Sequence, residues 1–162
     1  MNEGLITVNI SDAQIAACPG TLVTYALGSC IGICLYDSLM KIGGLAHIML
    51  PYFPENNTQE KIHRYADTCL PDLVKKMESM GCARSRMLAK IAGGAKMFVV
   101  ADDSAFGNIG QRNTAAVKET LQKLQIRLIA EDTGLNYGRT LYFYTETGEM
   151  VVKSFAKGTK TF

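Results

Sequence analysis

The sequence predicts an α+β fold, a layered α/β sandwich of mixed β-sheet with two main helices. Three observations point there. Before residue 51 the apolar residues come in runs of roughly five to nine, too short for helices. Two later stretches carry apolar residues at helical spacing. The last third returns to short strand-like runs around a glycine turn.

The elements follow in order. Leu5 to Ile10 alternates weakly, and Thr21 to Tyr25 is short and β-branched. Cys30 to Tyr36, bounded by Gly28 and Asp37, reads as a buried strand. After a turn at Asp37 to Lys41, Ile42 to Leu50 reads as its partner. PYFPENNTQ at 51–59 is a surface connection, because its prolines and asparagines favour turns. Ile62, Tyr65, Ala66, Cys69, Leu73, Val74, Met77 and Met80 share one helical face, and Gly81 ends it. Pro71 removes a backbone donor inside that helix and predicts a kink or a split. Met87 to Ile91 is a strand, Ile109 to Leu124 the second helix, and Ile126 to Ala130 a further strand. Leu141 to Thr145 and Met150 to Phe155 form a hairpin turning at Gly148.

A length of 162 residues suits one domain spanning 1–162 and can bury a core without staples. A net charge of +2 with scattered Lys and Arg argues against nucleic acid. No apolar run approaches the roughly 18 residues of a spanning helix, so no membrane insertion is expected. The first residues lack a basic, apolar leader, and the five cysteines are an odd number. Together these predict free thiols in a reducing cytoplasm.

Cys30 and His47 carry the chemistry. Cys30 follows Leu27-Gly28-Ser29, where Gly28 lets the chain bend sharply and N–H groups near Ser29 can serve as oxyanion donors. If the flanking strands pair as a hairpin, Cys30 and His47 reach the same end. A register setting them opposite each other would bring their Cβ atoms within about 5 Å. An imidazole there can take the thiol proton, and the sulfur can attack a carbonyl. The plain alternative is that Cys30 is a small core hydrophobe, which is how Cys34 reads. Cys30, Cys34 and His47 as zinc ligands would be one short of the usual four, and the expectation is no metal. His63, beside Lys61 and Arg64, reads as solvated.

At LGSCIGICLYD (27–37), GGLAHIMLP (43–51), RYADTCLPDLV (64–74), KIAGGAKMF (90–98), NIGQRN (108–113) and AEDTGLNYGRT (130–140), the sequence resembles the CheD family of chemoreceptor glutamine deamidases. The resemblance implies that Cys30 is the nucleophile, His47 its base, and Thr24 a third catalytic group orienting the imidazole. It implies deamidation of glutamines on chemotaxis receptors without a cofactor, and a fold similar to the cytotoxic necrotizing factor type of cysteine hydrolase. It also implies a CheC-type phosphatase as partner. The alternative is a non-catalytic module that regulates such a phosphatase. Departures from the family pattern are Pro71, and Tyr25-Ala26 where glycine is frequent.

Three further features stay open. Gly93-Gly94 suits close packing beside the site or against a substrate backbone better than phosphate binding. Asn108, Gln111, Arg112 and Asn113 read as capping, led by Asn108, or as substrate contacts. Asp132 and Arg139 read as structural or rim groups, with Asp132 bonding its own turn. A receptor helix as substrate predicts a shallow groove, rimmed by Met49, Tyr52, Phe53, Met97 and Phe98. A nucleophile of this kind is expected to have a lowered thiol pKa and to alkylate readily.

Overall fold

The structure, a computed structural model, describes residues 4–56, 61–97 and 108–162. Phe98 therefore lies outside the described residues. Within them the chain forms β1 (Leu5–Thr7), β2 (Asp12–Ala17), β3 (Thr21–Leu27), β4 (Ile31–Asp37), β5 (Ile42–Ile48), α1 (Ala66–Ser79) and β6 (Met87–Gly93). It continues with α2 (Ile109–Lys123), β7 (Arg127–Thr133), β8 (Arg139–Tyr144), β9 (Glu149–Ser154) and β10 (Gly158–Thr161). The strands make two five-stranded sheets, ordered β1-β3-β8-β9-β10 and β2-β5-β4-β6-β7. Each sheet is mixed: β1–β3 and β6–β7 are parallel, and the other pairs are antiparallel.

Side-chain alternation sorts these elements into three layers. On β4, Ile31, Ile33 and Leu35 pack with Leu70, Leu73 and Met77 of α1 and Ala116, Val117 and Leu121 of α2. The alternate residue Cys34 faces the other way and packs with Leu45, Leu22, Leu141 and Phe143 between the sheets. The order is helices, one sheet, the other sheet. The even-numbered face of β4 and the odd-numbered face of β5 look into the inter-sheet layer, where the site lies.

The two helices, the β4–β5 hairpin and the β8–β9 hairpin agree with the sequence reading. The differences have physical causes. β2 and β10 are edge strands, β2 mostly half-buried and β10 exposed throughout; they carry little apolar pattern and owe their form to pairing with β5 and β9. α1 begins at Ala66, after a 3₁₀ turn at Ile62–Arg64, and runs unbroken through Pro71. Pro71 forfeits only the bond to the Asp67 carbonyl, on the half-exposed side of the helix. His63 is not simply solvated: its Nε2 lies 2.7 Å from the Asp72 carboxylate.

The turn after β4 is fixed by Asp37, whose side chain is fully buried. Its carboxylate accepts from the N–H groups of Leu39, Met40 and Ala83 and from the Arg86 guanidinium. Burial alone would raise its pKa, but Arg86 and the amides hold it below the usual carboxylate value. Asp37→Asn should therefore lower the unfolding free energy by about 3 kcal/mol, the scale for breaking a buried ion pair. Urea denaturation at neutral pH measures this, and an unchanged midpoint would contradict it.

Candidate functional site

The register of β4 against β5 pairs Gly32, not Cys30, with His47. Cys30 stands directly before β4, two residues from Gly32 and hence on the diagonal from His47. Diagonal neighbours on one sheet face lie about 7–8 Å apart at Cα. Gly32 puts no side chain between them. A methyl group there would stand 3.0 Å from Leu141 Cδ1 and 3.5 Å from Thr24 Cγ2. Cys30 is half-buried and packs against the inter-sheet cluster, so thiol and imidazole share that layer.

Thr24 reaches the same layer from β3 of the facing sheet. Its Oγ1 lies 2.7 Å from His47 Nδ1 and 2.6 Å from the Val8 carbonyl oxygen. A hydroxyl has one proton, and the carbonyl can only accept. The Thr24 proton therefore goes to Val8, and Oγ1 must accept from Nδ1–H. This fixes the neutral tautomer and leaves the basic lone pair on Nε2, which is buried and has no hydrogen-bond partner. Further bonds hold the assembly: Val8 N–H donates to Val23 O and Ser11 N–H to His47 O.

The loop before Cys30 is anchored by three successive carbonyls. Gly28 O accepts from Ala95 N–H at 2.9 Å, and Cys30 O from Gly94 N–H at 2.9 Å. Ser29 O accepts from Asn113 Nδ2 at 3.0 Å. Gly28 is not left-handed; the left-handed residue before this loop is Ala26, with φ 58°, at a bulge inside β3. Gly93 has φ 116°, and a Cβ there would overlap the Cys30 carbonyl oxygen, so glycine is required by both conformation and contact. Gly110 similarly lets α2 approach the Gly94 and Ala95 carbonyls.

Burial pushes the Cys30 thiol above the ordinary range, while its own N–H pulls the other way. Burial also lowers His47 from 6.5 to about 4. The resting pair is therefore neutral thiol and neutral imidazole, and the lowered thiol pKa expected from sequence is reversed by desolvation.

Arg139 is buried; its guanidinium donates to the Gly134 and Tyr137 carbonyls and lies 3.4 Å from Asp132. Asp132 thus pairs with Arg139 rather than with its own turn. Asn108 precedes α2 but makes no side-chain cap bond to it. Phe53 packs edge-on against Tyr65, with ring centroids 5.4 Å apart. Tyr52 is exposed and donates to Glu119, and Met49 is half-buried. Met97 is exposed beside Gly28, with its Cγ 3.3 Å from where a Cβ would stand. Among the described residues, no group of three His, Cys, Asp or Glu is placed to hold a metal. Sequence reasoning missed the Val8 carbonyl, which no side-chain pattern can signal, and left Asn113 undivided within a polar cluster.

Fold and site together define an α+β two-sheet protein with a thiol, an imidazole and a hydroxyl gathered in one layer. Residues 49–154 match the family model described as CheD chemotactic sensory transduction. A relative from Syntrophomonas wolfei is 47% identical over 154 residues, covering 95% of this chain and 96% of the relative. Another, from Caldanaerobacter subterraneus, is 44% identical over 160 residues and 99% of each chain. Both are named "Probable chemoreceptor glutamine deamidase CheD". The chain belongs to the CheD family. The family-model match begins beyond Thr24, Cys30 and His47, whereas the two relatives align across them. A crystal structure of a Neisseria meningitidis protein of the DUF152 family model shares the fold, with a TM-score of 0.50 and 11% identity. The likeness covers 82% of this chain and 65% of that one.

The buried imidazole has a consequence for stability. Above pH 6.5 His47 is neutral folded or unfolded; between 6.5 and about 4 only the unfolded state takes the proton. Stability present above pH 6.5 is thus lost as pH falls toward 4, by up to about 3 kcal/mol. Urea denaturation from pH 8 to 4.5 should show this slope in the wild type and a shallower one in His47→Asn. Parallel slopes would refute it.

Proposed function

We propose that this protein is a chemoreceptor glutamine deamidase in which Cys30 is the nucleophile, His47 the base and Thr24 the group that orients it. The observation that carries this reading is the proton chain Nδ1–H to Thr24 to Val8, which leaves a partnerless Nε2 lone pair on the face shared with Cys30. The relatives' names supply the substrate class.

The chemistry follows from neutral partners. As the Cys30 sulfur attacks the glutamine side-chain carbonyl, Nε2 takes the thiol proton, so no standing thiolate is needed. N–H groups of Ser29 and Cys30 receive the oxyanion. The imidazolium, an easy donor because its folded pKa is about 4, protonates the leaving nitrogen and ammonia departs. Water, deprotonated at Nε2, then cleaves the thioester to glutamate and restores the thiol. The thiol and the attacking water supply every proton, with His47 carrying them, and no cofactor takes part in the proposed steps.

A half-exposed Cys30, with exposed Met97 against Gly28 of its loop, fits a surface that docks another protein. Receptor segments are the proposed substrate there, and a CheC-type phosphatase the proposed partner. Gly93 and Gly94 serve by shaping the loop under Cys30; Phe53 and Phe98 remain proposed rim contacts. Five free cysteines suit a cytoplasmic setting, and no helix among the described residues is long and apolar enough to cross a membrane.

Mass spectrometry of a purified receptor fragment should show glutamine converted to glutamate by the wild type and not by Cys30→Ala. Cys34→Ala, which empties a buried site between the sheets, should keep the activity and lose about 1 kcal/mol of stability. An active Cys30→Ala with an inactive Cys34→Ala would reverse the assignment. The acid limb of kcat/KM should have its midpoint near pH 4, where His47 protonates. A midpoint near 6.5 would mean that His47 is solvated when it acts.

A further inference from the structure

Asn113 projects from α2 to the two strand ends that carry the candidate pair, and it is fully buried. Its Nδ2 donates to Ser29 O at 3.0 Å and to Met49 O at 2.9 Å. Both partners are carbonyls and can only accept, so the amide orientation is fixed. Its Oδ1 is left buried without a partner. An acceptor buried without a partner is costly, so this side chain is not the one that stability alone would select.

A trans peptide is planar, and its N–H points opposite to its C=O. Asn113 draws the Ser29 carbonyl toward α2, on the helical side of the sheet. The N–H of Cys30, across the same peptide, is thereby turned toward the inter-sheet layer that holds the thiol and His47. The interaction of that N–H with its own sulfur agrees with this direction. The second bond, to Met49 O, ties the end of β5 to the same nitrogen.

We infer that Asn113 is a positioning residue that sets the Ser29–Cys30 peptide plane, so that the Cys30 N–H meets the oxyanion of the tetrahedral intermediate. This rests on the deamidase reading above. Two donors on one short side chain are required, and neither alanine nor aspartate supplies them.

The test separates two reactions of one thiol. Amide hydrolysis develops an oxyanion, whereas alkylation by iodoacetamide is displacement at a saturated carbon and develops none. In Asn113→Ala and in the isosteric Asn113→Asp, kcat for a receptor fragment should fall by roughly 10²–10³, the range for losing one oxyanion donor. KM should stay within about threefold, because ground-state binding does not depend on that donor; Cys30 alkylation should fall by about tenfold at most, because the N–H touches the resting sulfur but alkylation forms no oxyanion. The Ser29 carbonyl ¹³C and Cys30 amide ¹⁵N resonances should both move. Alkylation that falls in step with kcat, or kcat that holds, would overturn the inference. If the wild type alkylates at Cys30 but does not deamidate, the functional reading fails by itself. The resonances then decide the positioning: unchanged in both variants overturns it, and displaced supports it.

Discussion

A threonine hydroxyl carries one proton, and the position of that proton on Thr24 organises the rest of the site. Because the Val8 carbonyl takes it, the oxygen is left only as an acceptor, and His47 must present Nδ1–H. The far nitrogen is thereby a lone pair in a dry layer between two sheets. In other triads a carboxylate does this orienting work and also stabilises the imidazolium by charge. Here the orienting group is a neutral hydroxyl, and burial keeps the resting imidazole neutral. In the proposed reaction this makes His47 a weak resting base whose protonated form is a strong acid toward departing ammonia.

Such a site needs its backbone held still, and four sequence segments meet for that purpose. The loop 28–30 gives its carbonyls to Gly94, Ala95 and Asn113. Gly93 and Gly110 remove the side chains that would keep those backbones apart. Arg139 gathers the Gly134 and Tyr137 carbonyls on the far side, next to the point where Gly134 N–H bonds Gly93 O. Gly93, Gly110, Asn113 and Arg139 all serve to fix one bend.

Much of this was legible in the amino-acid sequence. Apolar periodicity found both helices and both hairpins, because their patterns are set by burial on one face. It missed β2 and β10, whose strand form comes from a neighbour's edge rather than from their own residues. Cys30 and His47 were visible as rare reactive residues at one hairpin end. Their register was not visible, and it proved diagonal across Gly32. The thiol pKa was misjudged because reactivity was inferred from residue type, whereas its direction is set by how much water the fold removes. The Val8 carbonyl had no signal, since every residue has one.

The most direct measurement is capture of the covalent intermediate. A receptor fragment mixed with the wild-type protein and quenched in acid within the first turnovers should give, by intact mass, an adduct of protein plus fragment less ammonia. Digestion should place the adduct on the peptide that contains Cys30. A deamidated fragment with no adduct on Cys30 at any quench time, together with full activity in Cys30→Ser, would contradict nucleophilic catalysis by this thiol.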